Sequence, residues 1–282
     1  MKIKCVIWDL DNTMWEGILG ENNNVTLKPR ITEVLKYLNS KGIIQSIASK
    51  NYESSAINKL KEFNELEVDM IELRIDFYEN IHQEDALRNL FLNIAALQIQ
   101  KPVILTIRTA AEGGEVEIDP KDYFNVYKLA VEANAFDIYD VELALGTNMA
   151  IELRTLIHDA GKYMLMSSHN FDRTPEVDSL MQKFRSMDSL EADIMKVAVM
   201  PEDYQDLLNL LSFTVQAKHE YAQKPIVTMS MSSIGLTSRL VGEQFGSAIT
   251  FASVGKASAP GQIDYQELNQ MLDIIHKNIQ EA

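Results

Sequence analysis

A lysine inside an apolar run is the first feature of this sequence that could do chemistry. Lys196 lies in DIMKVAVMP (193–201), a run that is typical of a buried β-strand. A lysine on such a strand must find an anionic partner or lose its proton, and the neutral amine attacks carbonyl carbons to form a Schiff base. Alternatively, the charged end reaches solvent and the residue is structural. The run alone leaves both interpretations open.

A histidine near the end of an earlier apolar run suggests a partner for this amine. His169 lies in YMLMSSHNF (163–171), so two successive strands would present an imidazole and an amine. Histidine suits proton transfer near neutral pH, and an iminium on a lysine withdraws electrons from the adjacent carbon. A single histidine near a strand end is more often structural, so the inference depends on its pairing with Lys196. Together the two residues favour removal of a proton next to a ketone.

Strand-like and helix-like segments alternate along the chain. Segments with helical spacing of apolar residues, such as EDALRNLFLNIAAL and DYQDLLNLL, separate most of the strand-like runs. Regular alternation predicts a parallel sheet, and eight units predict an α/β fold of the (β/α)₈ TIM barrel type, with its active site at the C-terminal ends of the strands. The eight predicted strands are 43–49, 68–76, 103–108, 136–143, 162–169, 193–200, 225–232 and 248–254. A barrel could direct one residue of each strand toward a common cavity, and these residues are Ser46, Arg74, Arg108, Glu142, His169, Lys196, Met231 and Phe251.

Seven short motifs lie along the chain after residue 71. They are ELRID (72–76), TIRTAAEGGE (106–115), SSHNF (167–171), KVAVMP (196–201), TMSMS (228–232), SRLVGEQFGSAITFA (238–252) and SAPGQI (258–263). In type and order these motifs resemble those of the type I 3-dehydroquinate dehydratases. Each motif is weak alone, but the ordered set is highly specific. The resemblance implies a lyase of the shikimate pathway that converts 3-dehydroquinate to 3-dehydroshikimate and water through a lysine Schiff base. We expect no metal and no cofactor.

The resemblance also implies three catalytic residues. Lys196 would form the imine with the substrate ketone, and His169 would act first as base and then as acid. Glu112 would orient His169 or adjust its pKa. Alternatively, Glu112 is a solvated loop residue, because Gly113 and Gly114 mark a flexible turn.

The substrate carboxylate requires a cation, and Arg239 matches the family residue that binds it. Arginine offers a planar fork that suits two-point recognition of a carboxylate. The segment SAPGQ (258–262) would close over the site as a lid that excludes water. The other substrate-binding residues that the resemblance implies are Ser46, Glu72, Arg74, Arg108, Met229, Met231, Phe251, Ser258, Ala259 and Gln262.

The first 42 residues do not match that family and resemble a different one. WDLDNT (8–13) matches the DxDxT signature of the haloacid dehalogenase superfamily of phosphatases, in which Asp9 would be the nucleophile and Asp11 the general acid. Ser49 would be the second motif of that superfamily, whereas Ser46 would belong to the first barrel strand. The stretch between residues 50 and 68 contains no strand-like run with an acidic pair. We therefore expect an incomplete, inactive segment over residues 1–42 and a barrel over residues 43–282, joined as a natural fusion or an engineered chimera.

Two alternatives to a fully active dehydratase remain open from the sequence. The first is a phosphatase that uses Asp9. The second is a barrel with impaired activity, because an altered first unit could misplace Ser46, Glu72 and Arg74. A displacement of about 1 Å can cost roughly a hundredfold in rate.

The composition favours a soluble enzyme. The 282 residues are 46% hydrophobic, and no apolar run approaches the length of a membrane span. The single Cys excludes an internal disulfide and a Cys-rich metal site. A net charge of −15 disfavours nucleic acid and anionic membranes as partners. We expect a cytoplasmic homodimer whose ligand is the small molecule 3-dehydroquinate.

Overall fold

The computed structural model of the protein describes residues 53–254 and 260–280 and, before them, the backbone of four short strands. The chain divides into two compact units, Met1–Asn51 and Tyr52–Ala282. The predicted active-site residues, apart from Ser46, fall in the second unit.

The first unit contains two pairs of strands. One pair is parallel and joins the strand that ends at Asp9 to the strand that contains Ser46. The other pair is antiparallel. The strands are β1 (Cys5–Asp9), β2 (Trp15–Glu16), β3 (Thr26–Leu27) and β4 (Ile44–Ala48), of which β1 pairs with β4 and β2 pairs with β3.

Several predictions fall outside the described part of the first unit. Asp11 and Ser49 lie outside the described residues, as do the side chains of Asp9 and Ser46. The phosphatase-like interpretation, the domain boundary at residue 42 and the placement of Ser46 in a barrel strand therefore stay predictions.

The second unit is built on one parallel sheet of six strands. Each strand pairs with the next one along the chain, so the order of strands in the sheet follows the sequence. Parallel neighbours need a crossover connection, which helices supply here. The strands are β5 (Ile71–Arg74), β6 (Val103–Thr106), β7 (Ile138–Glu142), β8 (Tyr163–Asn170), β9 (Ile194–Val199) and β10 (Ile226–Ser230).

Helices alternate with these strands and have clear local signals in the sequence. Asp119, for example, caps the third helix, because its carboxylate accepts hydrogen bonds from the backbone N–H groups of Lys121 (2.8 Å) and Asp122 (3.0 Å), and Pro120 occupies the first turn. The helices are α1 (Glu53–Asn64), α2 (Glu84–Ala95), α3 (Pro120–Glu132), α4 (Thr147–Asp159), α5 (Val177–Ser189), α6 (Tyr204–Glu220), α7 (Leu236–Leu240), α8 (Gly242–Phe245) and α9 (Tyr265–Gln280).

Alternate residues of the strands belong to two different apolar cores. On β6, Leu105 belongs to the large core between the sheet and the helices, whereas its neighbour Ile104 belongs to a smaller core on the inner face of the sheet. The inner core consists of Ile104, Ile138, Leu165, Ile194, Ala198, Val227, Met229 and Met231.

The TIM-barrel-like α/β fold is confirmed, but the predicted strand at 248–254 was wrong. At its start, the backbone N–H of Ala248 donates to Ile226 on β10 (2.8 Å), and at its end Ser253 forms a bridge with Asp264 instead. Because the hydrogen bonds go to two different partners, no continuous ladder forms. No helix in the described part of the chain has the length and apolar character to cross a membrane.

Candidate active site

Polar side chains continue the inner face of the sheet toward the C-terminal ends of its strands. Side chains two residues apart on a strand share a face, so Asp140 follows the inner residue Ile138, and Lys196 follows Ile194. The C-terminal ends of parallel strands meet at one edge, where TIM-barrel enzymes place their active sites. The residues brought to this edge are Glu72, Arg74, Thr106, Arg108, Asp140, Glu142, Ser167, His169, Lys196, Met229 and Met231.

Lys196 is buried and has acidic partners. The residue is only 4% exposed, so its charged end does not reach solvent. Its Nζ lies 3.3 Å from Oδ2 of Asp140 and 3.7 Å from Oε1 of Glu72. The same nitrogen lies 4.3 Å from the centre of the Phe251 ring, close enough for a cation–π contact. The amine is therefore held between two carboxylates and an aromatic face.

His169 is fixed by Glu112 from the turn after β6. Oε2 of Glu112 lies 2.8 Å from Nδ1 of His169 and also accepts from the backbone N–H of His169 at 3.0 Å. Arg108 donates to the same oxygen at 3.4 Å. Since this oxygen is an acceptor for other donors, Nδ1 carries a hydrogen and donates it. The lone pair of Nε2 is then free to take up a proton.

Burial favours the neutral forms of both partners. It lowers the pKa of His169 well below its usual 6.5, and nearby cations, chiefly Arg108, lower it further. Burial and the negative charge of Glu142 raise the pKa of Glu112 to about 8, although Arg108 opposes this. A neutral imidazole at neutral pH is the form that acts as a base.

Two glycines hold the Glu112 turn in a shape that other residues could not adopt. Gly113 has a φ of +78°, in the left-handed region. A Cβ on Gly114 would lie 1.8 Å from the carbonyl oxygen of Arg108. Glu112 itself is only 5% exposed. The alternative of a solvated loop glutamate was therefore wrong, because the turn packs Glu112 into the site.

Arg108 organises the acidic residues of the inner face. It donates to Oε1 of Glu142 and to Oδ2 of Asp140, each at 2.8 Å, and to the hydroxyl of Ser167 at 3.0 Å. Burial alone would lower its pKa, but the surrounding carboxylates raise it overall. Arg108 is thus permanently charged and already engaged by protein acids.

Glu72 and Arg74 on β5 also have partners within the second unit. Oε1 of Glu72 accepts a hydrogen bond from the Thr106 hydroxyl at 2.9 Å. Arg74 forms a two-point ion pair with Asp76, at 2.8 and 2.7 Å. Both residues border the cavity beside Lys196, where they offer polar groups to a ligand.

Arg239 differs from the other site arginines because it has no acidic partner in the described part of the chain. It is 2% exposed, and burial lowers its pKa to about 10. Among the described residues, its guanidinium donates only to the carbonyl oxygens of Phe251 (3.4 Å) and Pro260 (3.2 Å) and to the Met229 sulfur (3.8 Å), and its Nε has no hydrogen-bond partner there. A buried cation without a counter-charge is suited to an anionic ligand.

The cavity beside Lys196 is small. Its volume is about 50 Å³. Met229, Met231 and Phe251 contribute to its apolar wall. A larger cavity of about 770 Å³ in the second unit shares part of this wall, namely Glu72, Arg74, Arg239, Phe251 and Gln262.

The structure adds two site residues that the sequence did not single out, Asp140 and Ser167, and leaves Ser258 and Ala259 undescribed. Asp140, Glu142 and Ser167 bind Arg108, and Asp140 also contacts the lysine. Ser258 and Ala259 lie outside the described residues. Among the described residues, no group of three or more His, Cys, Asp or Glu is arranged to hold a metal ion.

Comparison with known sequences identifies relatives over most of the chain. The family model of type I 3-dehydroquinase matches residues 45–279. The 3-dehydroquinate dehydratase of Bacillus subtilis (strain 168) is 40% identical over 226 residues, which are 80% of this chain and 89% of that protein. The 3-dehydroquinate dehydratase of Escherichia coli (strain K12) is 37% identical over 235 residues, which are 83% of this chain and 93% of that protein.

Solved structures of the same kind share the fold. The type I 3-dehydroquinate dehydratase from Clostridium difficile, solved with covalently modified comenic acid, has a TM-score of 0.78 and 36% identity and covers 82% of this chain and 90% of its own. The 3-dehydroquinate dehydratase from Geobacillus kaustophilus HTA426 has a TM-score of 0.77 and 30% identity and covers 81% of this chain and 88% of its own.

Proposed function

The chain belongs to the type I 3-dehydroquinate dehydratases and converts 3-dehydroquinate to 3-dehydroshikimate and water in the shikimate pathway, and we propose that it does so through a Schiff base on Lys196. The observation that carries the proposal is the pairing of a buried amine with a neutral imidazole. On β8, Ser167 pairs with Lys196, and His169 follows two positions later on the same face. The two groups therefore face one cavity from adjacent strands.

The first step joins Lys196 to the substrate ketone. The neutral amine attacks the carbonyl carbon, and the carbonyl oxygen takes up protons and leaves as water. The C=O bond is replaced by a C=N bond whose nitrogen keeps one proton and carries a positive charge. This iminium is a stronger electron sink than the ketone, so it acidifies the C–H group next to it.

His169 moves the protons in the second step. Neutral Nε2 takes the proton from the carbon beside the iminium. The electron pair of that C–H bond forms a C=C bond, and the electrons of the C=N double bond return to the nitrogen, which gives a neutral enamine. The enamine then expels the hydroxyl group on the next carbon, to which the protonated His169 gives its proton, so that water leaves. Hydrolysis of the new iminium releases the unsaturated ketone and restores the amine.

Arg239 binds the substrate carboxylate in this proposal. It is a buried cation whose only hydrogen-bond acceptors within the described residues are weak neutral ones, so a carboxylate fills its unmet bonding capacity. Gln262 borders the same cavity and would assist Arg239 with the carboxylate, whereas Glu72 and Arg74 would bind ring hydroxyls. Arg239 binds the carboxylate and Lys196 binds the ketone carbon, so the two residues together fix the orientation of the substrate.

Two substitutions and one control test the assignment. Dehydroshikimate formation is followed by its ultraviolet absorbance. Lys196→Met should abolish turnover, and His169→Ala should slow it by at least about a hundredfold, the lower end of what a positioned acid–base group supplies. The control is Lys224→Met, since Lys224 is a partly buried lysine that binds Asp188 (2.6 Å) just before β10, away from the cavity. Near-normal turnover of Lys196→Met would overturn the proposal.

Three finer predictions remain beside this reaction. We propose that residues 1–42 are an inactive phosphatase-like segment, which the DxDxT motif and the parallel pairing of β1 with β4 support. The acidic composition and single Cys favour a cytoplasmic protein. A homodimer also stays a prediction, which light scattering of the purified protein would test.

A further inference from the structure

Asp140 is the most deeply buried carboxylate near the proposed Schiff base. It is the third residue of β7, its side chain is 0% exposed, and it points to the inner face. One carboxylate oxygen, Oδ1, accepts a hydrogen bond from the Ser167 hydroxyl. The other, Oδ2, lies 2.8 Å from Nη2 of Arg108 and 3.3 Å from Nζ of Lys196. A single oxygen therefore bridges a permanent cation and the reacting nitrogen.

We propose that Asp140 is the counter-ion of the Lys196 nitrogen, which it positions for attack and keeps protonated once the imine has formed. The proposal rests on the Schiff base at Lys196 argued above. Asp140 does not touch the carbon atoms that react, so it is a positioning residue that acts through the lysine.

Asp140 is better placed for this role than Glu72, the other carboxylate near the nitrogen. Its oxygen is closer to Nζ, at 3.3 Å compared with 3.7 Å, and its side chain is fully buried, whereas that of Glu72 is 16% exposed. Solvent screens a buried charge less, so the Asp140 charge acts more strongly on the nitrogen. Glu72 also faces the cavity, where a ligand can engage it.

Arg108 and Ser167 keep Asp140 in its ionised form. Burial alone would raise the pKa of Asp140, but Arg108 and Lys196 lower it overall, and the Ser167 hydrogen bond adds to this. The carboxylate therefore stays charged when the nitrogen briefly becomes neutral at the enamine stage, because Arg108 remains as its partner. Each return to the iminium then regains a favourable charge pair.

The charge on the nitrogen matters because only the protonated imine is an effective electron sink. A nearby negative charge favours the protonated form, so Asp140 extends the pH range over which the iminium persists. Loss of this charge should leave imine formation possible, since the Lys196 amine itself is retained. It should instead reduce the protonated fraction of the imine at neutral and basic pH.

Other titratable groups lie around Asp140 and Lys196, and their charges must be considered when the variants are compared. Tyr123 and Tyr127 of α3 pack behind Asp140, and burial raises both pKa values well above 10, so they stay neutral. The Glu112 carboxyl, with a pKa of about 8, titrates within the useful range. The remaining charged or titratable groups around the pair are Glu72 and Arg74 on β5, Arg108 after β6, Glu142 on β7 and His169 on β8.

The test is reductive trapping as a function of pH. Sodium cyanoborohydride reduces protonated imines, so its trapping of dehydroshikimate on the enzyme from pH 5 to 9 reports the protonated fraction. In Asp140→Asn, the pH at which trapping falls by half should move down by at least about one unit relative to the wild type, the size expected from loss of one close charge. Glu72→Gln should lower the pH of half-maximal trapping by a smaller amount.

A control and a milder variant separate this effect from a structural one. Asp193→Asn removes a partly buried carboxylate that binds His158 (2.9 Å) beside the start of β9, and it should trap like the wild type. Ser167→Ala removes the hydroxyl that donates to Asp140 and should shift the curve in the same direction by a smaller amount, even if Asp140→Asn does not fold.

The possible outcomes are distinct. An unshifted curve in both the Asp140 and Ser167 variants, or a larger shift in Glu72→Gln, overturns the role of Asp140 and leaves the Schiff base intact. Failure to trap any adduct on the wild-type enzyme during turnover refutes the Schiff base itself.

Discussion

Replacement of Arg239 by Met should separate substrate binding from stability. Met has a similar length and fills the buried space, so the change removes the charge and the hydrogen bonds without creating a large cavity. The bonds lost in the free enzyme are weak, because the guanidinium donates to carbonyl oxygens at 3.2 and 3.4 Å and its Nε has no partner within the described residues. The bond lost in the complex is the one to the substrate carboxylate.

The expected magnitude follows from this difference. Hydrogen bonds to charged groups contribute about 1.5 to 3 kcal/mol each, and two such bonds form a bidentate contact. The contacts that Arg239 already makes in the free enzyme offset part of this binding free energy. The expected loss in Arg239→Met is therefore about 2 to 4 kcal/mol, or roughly 30- to 1000-fold in kcat/KM. The free energy of unfolding should stay the same or increase, because an unpaired buried charge is removed.

The assay compares kcat/KM and thermal unfolding for Arg239→Met and for a matched control. Arg154→Ala is the control, since Arg154 also has a buried Nε without a partner but pairs with Glu191 (3.0 Å) on the helical side of the fold. It should leave kcat/KM unchanged. A tenfold or smaller loss in Arg239→Met would show that another cation holds the carboxylate, and a large loss of stability would show that Arg239 is a structural residue.

Three further predictions concern pH, the glycine turn and the N-terminal unit. Because the pKa of His169 is lowered and the base must be neutral, kcat/KM should hold as the pH falls through 6.5 and decline only below it; half-loss at or above pH 6.5 would contradict this. Gly114→Ala should reduce activity at least about tenfold, since its Cβ would meet the Arg108 carbonyl at 1.8 Å. Gly161→Ala is the control for backbone strain alone: Gly161 has a φ of +70° before β8, so the change should lower stability and leave kcat unchanged. Purified protein should show no Mg²⁺-dependent phosphatase activity above background, and hydrolysis that Asp9→Asn abolishes would refute the inactive-segment prediction.

The placement of Lys196 and His169 at one cavity could be predicted from the sequence, because a charged or titratable residue in an apolar strand is unusual. The same signal also marked Asp140 and Glu142 in FDIYDVEL (136–143), where two acids alternate with apolar residues. Strand periodicity places both acids on one face, and that face is the inner one. Glu142 was expected to face the cavity, whereas Asp140 was not singled out, although the argument used for Lys196 applies to it equally.

Other features depend on tertiary structure that a single strand does not encode. The contacts of Arg108 with Asp140 and Ser167 depend on the register of β6, β7 and β8. The run at 248–254 has the composition of a strand, but its hydrogen bonds diverge to β10 and to the segment before α9. The glycines of the Glu112 turn indicated flexibility, whereas close packing against Arg108 explains why they are needed.

The central claim is that Lys196 forms a Schiff base with the substrate, and peptide mass mapping after borohydride reduction tests it most directly. With dehydroquinate or dehydroshikimate present, the peptide containing Lys196 should gain the mass of the ligand less one water plus two hydrogens. Lys196→Met should not acquire this label, and His169→Ala should still acquire it, since imine formation does not need the imidazole. A label on any other residue, or no label while turnover continues, would contradict the mechanism.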